Sequence, residues 1–211
     1  DVRGLIDLMG GDRAFVAKID QVFDSPPRFD ASYYGQVIHE IREMQIVNMG
    51  NYAHGNQPIQ HMIYLYDYAG APWKTQAMVR RLLTEMYKAE PDGVIGNDDC
   101  GQMSAWFILS ALGFYPVDPV SGVYVFGSPL FDAAQVDLGQ GRTLRVVAKG
   151  NAPASPYVQS VRWNGKPWTR NWIAHADVAQ GGELEFTMGP KPSSFGTAKA
   201  DRPPSFEQKP R

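Results

Sequence analysis

The hydrophobic period changes partway along the chain. In the first half, apolar positions recur at helical spacing, most clearly between Trp73 and Lys88, where Val79, Leu82, Leu83 and Met86 fall at i, i+3, i+4 and i+7. That spacing predicts a helix packed on one side only. Asp12 to Phe23 follows the same pattern, entered through Gly10-Gly11 and closed by Ser25-Pro26-Pro27. Asp1 to Met9 reads as an amphipathic piece already inside a fold, and residues 57 to 69 and 101 to 112 read as two further helices. The last of these is apolar almost all round, through Met103, Trp106, Phe107, Ile108, Leu109, Ala111 and Leu112, which predicts burial on most sides.

After Gly113-Phe114-Tyr115-Pro116 the apolar residues alternate instead, and short β-branched or aromatic runs are separated by Gly, Pro and Asn turns. The predicted strands are Val123 to Phe126, Ala133 to Leu138, Thr143 to Ala148, Val158 to Trp163 and Leu184 to Met188. Asn164-Gly165 is a hairpin signal because both residues tolerate positive φ, and Pro167 confines the strand after it to a sheet edge. The fold class is therefore α+β: a helical part over 1–116, an antiparallel β-rich segment over 117–196, and a Pro-, Ser- and Lys-rich tail over 197–211 expected to be frayed.

Composition narrows the partner. A formal charge of −2, from 20 basic and 22 acidic residues with no dense Lys/Arg cluster, gives no field suited to nucleic acid or an anionic membrane, so a neutral partner is expected. Cys100 is the single cysteine and excludes an internal disulfide. No apolar run approaches the ~18 residues of a membrane span, and Asp1 to Met9 lacks the basic start and cleavage site of a signal peptide.

Three polar constellations are candidates for chemistry. Gly96-Asn97-Asp98-Asp99-Cys100-Gly101-Gln102 leads into the apolar helix with two adjacent carboxylates. Either one can cap that helix, and a carboxylate at the positive end of a helix stays ionised, which also suits a general base. Asn51 to His61 is dense in amide and imidazole groups and offers oxygen ligands for a hard cation, or, more plainly, a capped helix start with Pro58 in its first turn. His54 and His61 lack a metal-ligand spacing, and a lone histidine is more often a satisfied core residue. His39-Glu40 with Glu43 lies one helical turn apart, by default a solvated face. The tryptophans at 163, 168 and 172 read as strand packing rather than sugar platforms.

Taken together, GNQPIQH (55–61), YLYDYAGAPWKTQ (64–76), GNDDCGQMSAW (96–106) and ALGFYPV (111–117) resemble, in order and spacing, the hallmark string of family 92 glycoside hydrolases. GSPLF (127–131) and DVRGLIDLMGG (1–11) resemble flanking family segments. The resemblance implies the C-terminal part of an (α/α)₆ toroid followed by the β segment, and an exported, calcium-dependent, inverting exo-α-mannosidase acting on mannose-containing glycans. By that resemblance the base falls on Asp99, a second water-activating position on Asn97, with Asp98 sharing the load. The calcium-binding stretch falls on Asn56 and Gln57 with a further ligand at Glu43, and contacts to the neighbouring sugar fall on His39 and Glu40. Gln57 stands where the family string has glutamate, which removes one charge from the Ca²⁺ site. An inverting enzyme needs two carboxyl groups roughly 6.5–9.5 Å apart, and the family's general acid lies in a segment preceding the stretch that matches Asp1. The chain alone is therefore expected to be inactive, to need the N-terminal part of the same enzyme, and to self-associate through toroid faces left bare. The competing readings are a different (α/α)₆ carbohydrate enzyme and a non-catalytic carbohydrate-binding or association module.

Overall fold

A computed structural model describes residues 1–26 and 29–205. Helix α1 (Val2–Leu8) is capped by Asp1, whose carboxylate accepts the Gly4 N–H at 2.9 Å. Helices α2 (Asp12–Asp24), α3 (His39–Val47), α4 (Leu65–Tyr68), α5 (Pro72–Glu85) and α6 (Gln102–Ala111) follow. In α5 the periodic positions Val79, Leu82 and Leu83 are buried as the spacing requires. The helix read over 57–69 is instead a broken path: 3₁₀ turns at Gln57–Ile59 and Met62–Tyr64, then the single turn of α4. Residues 63 to 68 are all buried, so this segment threads the core rather than lying on it. Helix α6 also departs from expectation. Met103, Trp106, Ser110 and Ala111 are buried, but Ile108 is 58% exposed, because α5 and the first strand cover one side of the helix.

The strands form two sheets. A three-stranded antiparallel sheet has the order β1 (Phe114–Tyr115), β2 (Val123–Phe126), β7 (Trp172–Ala174). The five-stranded sheet has the order β3 (Ala133–Gly139), β4 (Arg142–Lys149), β8 (Gly182–Gly189), β5 (Tyr157–Trp163), β6 (Lys166–Trp168). Every pair is antiparallel except β4–β8, because β8 enters between two hairpins and runs alongside β4. The Asn164-Gly165 turn forms with φ of 49° and 75°, and β6, which contains Pro167, is an edge strand. A short helix, α7 (His175–Val178), follows β7. Val158, Leu184 and Phe186 are fully buried at the centre of the β part.

The frayed tail expected from residue 197 is corrected over 197–205. Arg202 donates to Asp12 at 2.8 Å, and the Ser205 hydroxyl donates to Asp1 at 3.0 Å while accepting the Arg3 N–H. One ion pair and the hydrogen bonds of Ser205 outweigh the low apolar content of that stretch. The rest of the predicted tail, 206–211, lies outside the described residues.

Polar contacts lock the helical part to the β part. Gln76 accepts the Val158 N–H at 3.1 Å. Arg80 on α5 is buried and donates to Ser128, the Pro129 carbonyl, Asn151 and the Ala152 carbonyl. Asp67, fully buried in α4, faces Thr75 on one carboxyl oxygen and accepts from Asn171 at 3.1 Å on the other. The single hydroxyl hydrogen of Thr75 has two oxygens in reach, Asp67 Oδ2 and the Ile63 carbonyl at 2.8 Å. A carboxylic acid resolves the conflict: Asp67 donates to Thr75, which donates to Ile63. Burial favours the same state, holding the Asp67 pKa well above the carboxylate range, and the hydrogen bonds that Thr75 and Asn171 would donate to the ionised form oppose it.

The pH consequence follows by linkage. An acid whose pKa is raised on folding stabilises fully below its unfolded pKa, ~3.9, and that contribution is lost as pH rises toward the folded value. Asp67→Asn keeps a donor for Thr75 and an acceptor for Asn171 without a titrating proton. Urea unfolding should show it more stable than the parent at pH 8, with the difference closing toward pH 3.

Candidate functional site

Helix α3 carries Glu43 inward. Its side chain is 8% exposed and its Oε2 has no hydrogen-bond partner among the described residues, which is costly for a carboxylate without a ligand. Two glycines make room for it. A Cβ on Gly55 would collide with Oε2 and stand 2.8 Å from the Ile95 carbonyl, and a Cβ on Gly96 would stand 2.9 Å from Oε1. Burial raises the Glu43 pKa; His39 opposes the shift, and the negative charges of Glu40 and Asp99 add to it. The solvated-face default thus fails for Glu43. Glu40 is half-buried and His39 exposed beside it, the two 3.2 Å apart at the rim.

The 97–101 loop presents its carboxylates unequally. Asp98 accepts both the backbone N–H of Ser104, at 2.9 Å, and its hydroxyl, at 3.1 Å, so its carboxylate serves the first turn of α6 although Gly101 is the capping residue. Asp99 is exposed and its carboxylate accepts no hydrogen bond among the described residues. Asp99, Cys100 and Gly101 have φ of 43°, 61° and 96°, three consecutive left-handed residues of which two carry a Cβ. Such backbone costs energy and persists where the surroundings enforce it.

The 55–57 loop meets this one directly. Gln57 donates through Nε2 to the Asn97 carbonyl at 2.6 Å, which leaves its Oε1 as a spare acceptor. Asn56 precedes the 3₁₀ turn without capping it through its side chain. No cluster of three or more His, Cys, Asp or Glu side chains capable of holding a metal occurs among the described residues. The oxygens present are one unpartnered buried carboxylate and two amides, a set that fits a hard cation such as Ca²⁺ and not a soft one.

Beneath these loops lies a network that the sequence pattern did not reveal. His54 is fully buried, its pKa pushed down to about 3 by burial, so the imidazole is neutral. Its Nδ1 is 2.9 Å from the Tyr52 hydroxyl and its Nε2 2.8 Å from the Tyr87 hydroxyl. Gln60 donates to the His54 carbonyl at 3.1 Å and accepts from Gln102, which also donates to the Tyr115 hydroxyl. The general reading of a lone histidine as a satisfied core residue holds for His54. Trp163 and Trp168 pack against the core of the β part, and Arg170 lies over the Trp168 and Trp172 rings, at 4.1 and 4.5 Å from their centroids.

Known proteins share the fold of this chain. A family 92 α-mannosidase from Bacteroides thetaiotaomicron superimposes over 99% of the chain with a TM-score of 0.85 at 34% identity, and the chain covers 26% of it. A family 92 inverting mannosidase from the same organism aligns over 96% at 46% identity, TM-score 0.81, with 28% of that protein covered. An uncharacterised secreted glycosidase of Arthroderma benhamiae is 32% identical over 98% of the chain and 24% of its own length. The chain thus spans about a quarter of the length of these relatives. No described helix is long and apolar enough to cross a membrane. The catalytic-domain profile of glycosyl hydrolase family 92 matches residues 1–190, and the chain belongs to that family.

Proposed function

We propose that this chain supplies the base-and-calcium portion of a longer, inverting exo-α-mannosidase that removes terminal α-linked mannose from glycans, with α-1,2 linkages preferred. The observation that carries the reading is the unpartnered Glu43 carboxylate, buried between two glycines where the Asn56-Gln57 loop meets the Asn97–Asp99 loop. Glu43, Asn56 and Gln57 would hold the ion. Bound Ca²⁺ would supply orientation and distortion of the terminal sugar through its hydroxyls. Asp99, exposed and accepting no hydrogen bond among the described residues, takes the proton from the attacking water, and the Asn97 amide orients that water. Asp98 is engaged by Ser104 and holds the loop to α6. His39 and Glu40, at the rim, meet the neighbouring sugar. The general acid comes from a part of the enzyme outside these 211 residues.

The helices are read as part of an (α/α)₆ toroid whose remaining helices cover the apolar residues exposed here, Leu8 at 88%, Ile46 and Ile108 among them. Without that cover, association between copies is expected. The location is read as periplasmic or secreted, and the name of the Arthroderma relative supports the second.

The experiment is mannose release from α-1,2-, α-1,3-, α-1,4- and α-1,6-linked mannobioses by the full-length protein, with Ca²⁺ and with chelator. Release should be fastest from the α-1,2 disaccharide, produce the inverted anomer by NMR, and stop on chelation. A rate indifferent to chelator would remove the calcium site from the reading, and a retained anomer would remove the water-activating role of Asp99.

A further inference from the structure

The loops of the proposed site are joined from below by one imidazole. His54 immediately precedes Gly55, Asn56 and Gln57. Through Tyr87 it reaches the other loop, because the Tyr87 backbone bridges Val94 just before Asn97–Asp99. Through Tyr87 it also reaches α6, since the Tyr87 hydroxyl donates to the Met103 carbonyl at 3.4 Å in the first turn. Its ring packs edge-on against Trp106 of the same helix, centroids 4.4 Å apart. The chain of hydrogen bonds has one consistent direction. The Met103 carbonyl only accepts, so Tyr87 donates to it, His54 Nε2–H donates to Tyr87, and Tyr52 donates to His54 Nδ1. Gly55, the next residue, lies against the Glu43 carboxylate with no room for a Cβ, so the backbone that leaves His54 packs directly on Glu43 before it reaches Asn56.

From this geometry we infer that His54 is a positioning residue, setting the Asn56-Gln57 loop, the Asn97–Asp99 loop and the first turn of α6 in register for calcium binding and water activation. The functional half of the inference rests on the mannosidase reading; the structural half does not. Partners of a binding site's own ligands commonly influence affinity or rate by about 10–100-fold.

The two nitrogens can be separated. His54→Asn places an amide at the Nδ1 position, keeping Tyr52 and losing Tyr87, whereas His54→Gln reaches Tyr87 and loses Tyr52. In the full-length protein, amide hydrogen exchange without metal, Ca²⁺ affinity by calorimetry, and kcat and KM on a mannobiose are measured together. For His54→Asn we expect faster exchange at 55–57 and 94–101 with the five-stranded sheet unchanged, about 10–100-fold losses in Ca²⁺ affinity and kcat, and little change in KM. His54→Gln should recover most of each. Exchange at 94–101 as slow as in the parent overturns the inference, as does loss of protection throughout, sheet included, in both variants. If the loops loosen as expected while the parent neither binds Ca²⁺ nor releases mannose, the mannosidase reading fails and the positioning of the loops stands.

Discussion

Asp99→Asn in the full-length enzyme should slow mannose release by about 10²–10⁴-fold, the range lost with a general base, while thermal unfolding stays close to that of the parent. The substitution isolates charge from conformation. Asp99 sits at φ 43°, a region asparagine enters at least as readily, so the left-handed run through Cys100 and Gly101 is undisturbed. Asn97 can orient a water but accepts no proton at neutral pH, so it offers no substitute. Asp98→Asn provides the contrast. It keeps an acceptor for Ser104 but removes the charge at the start of α6, and its cost should appear chiefly as about 0.3–1 kcal/mol of stability in urea melts. Similar rate losses in the two variants would show that the base is not confined to Asp99.

Arg80→Met should destabilise the protein by about 3 kcal/mol or more, the largest stability change expected from one side chain outside the apolar core. Methionine replaces the aliphatic stem of Arg80, so the loss falls on the guanidinium. That group is buried, its pKa lowered by burial, and among the described residues it meets no carboxylate and is held by neutral acceptors: Ser128, Asn151 and the carbonyls of Pro129 and Ala152. Those acceptors, on segments around the β part, would be left without their donor. Denaturant unfolding followed separately by aromatic fluorescence and by circular dichroism should lose its coincidence, because α5 then keeps only the Gln76–Val158 bond of the polar contacts described above between it and the β part. Arg81→Met is the control: Arg81 pairs with Glu85 on the exposed side, worth about 0.3–0.5 kcal/mol.

Periodicity located most of the elements because burial is one-sided where it worked. Val79, Leu82 and Leu83 face the core from α5, and β4 and β8 alternate as half-buried strands do, whereas a register shift between Val158 and Ser160 breaks the alternation of β5. It failed where local pattern and tertiary cover part company. Tyr64, Tyr66 and Tyr68 are buried on a broken path that carries no helical period, and β7 is three residues long, too short for alternation to register. The parallel pairing of β4 with β8 is a property of the whole sheet and leaves no mark in either strand's composition. In the candidate site, the Gly-rich loop with its two carboxylates was legible, but which of Asp98 and Asp99 serves the helix was not, since adjacent acids are equivalent until the backbone turns. Glu43 read locally as a solvated helix face; only the approach of Gly55 and Gly96, distant in sequence, buries it. His54 became informative only when Tyr87 and Trp106 arrived around it.

The position of β8 also sets when the β part can form. The last strand among the described residues is the middle strand of the five-stranded sheet, with the β3–β4 pair on one side and the β5–β6 pair on the other. Before Gly182 is reached, the nascent chain holds two separate hairpins, each marginal in water. The sheet then closes through pairings of long sequence separation, which are slow. During synthesis, helices can gather early, but Leu144, Val161 and the other apolar faces of the hairpins wait for Leu184 and Phe186 to cover them. A ribosome stalled before residue 182 would therefore present those faces to chaperones, and release from them is tied to the emergence of this one strand.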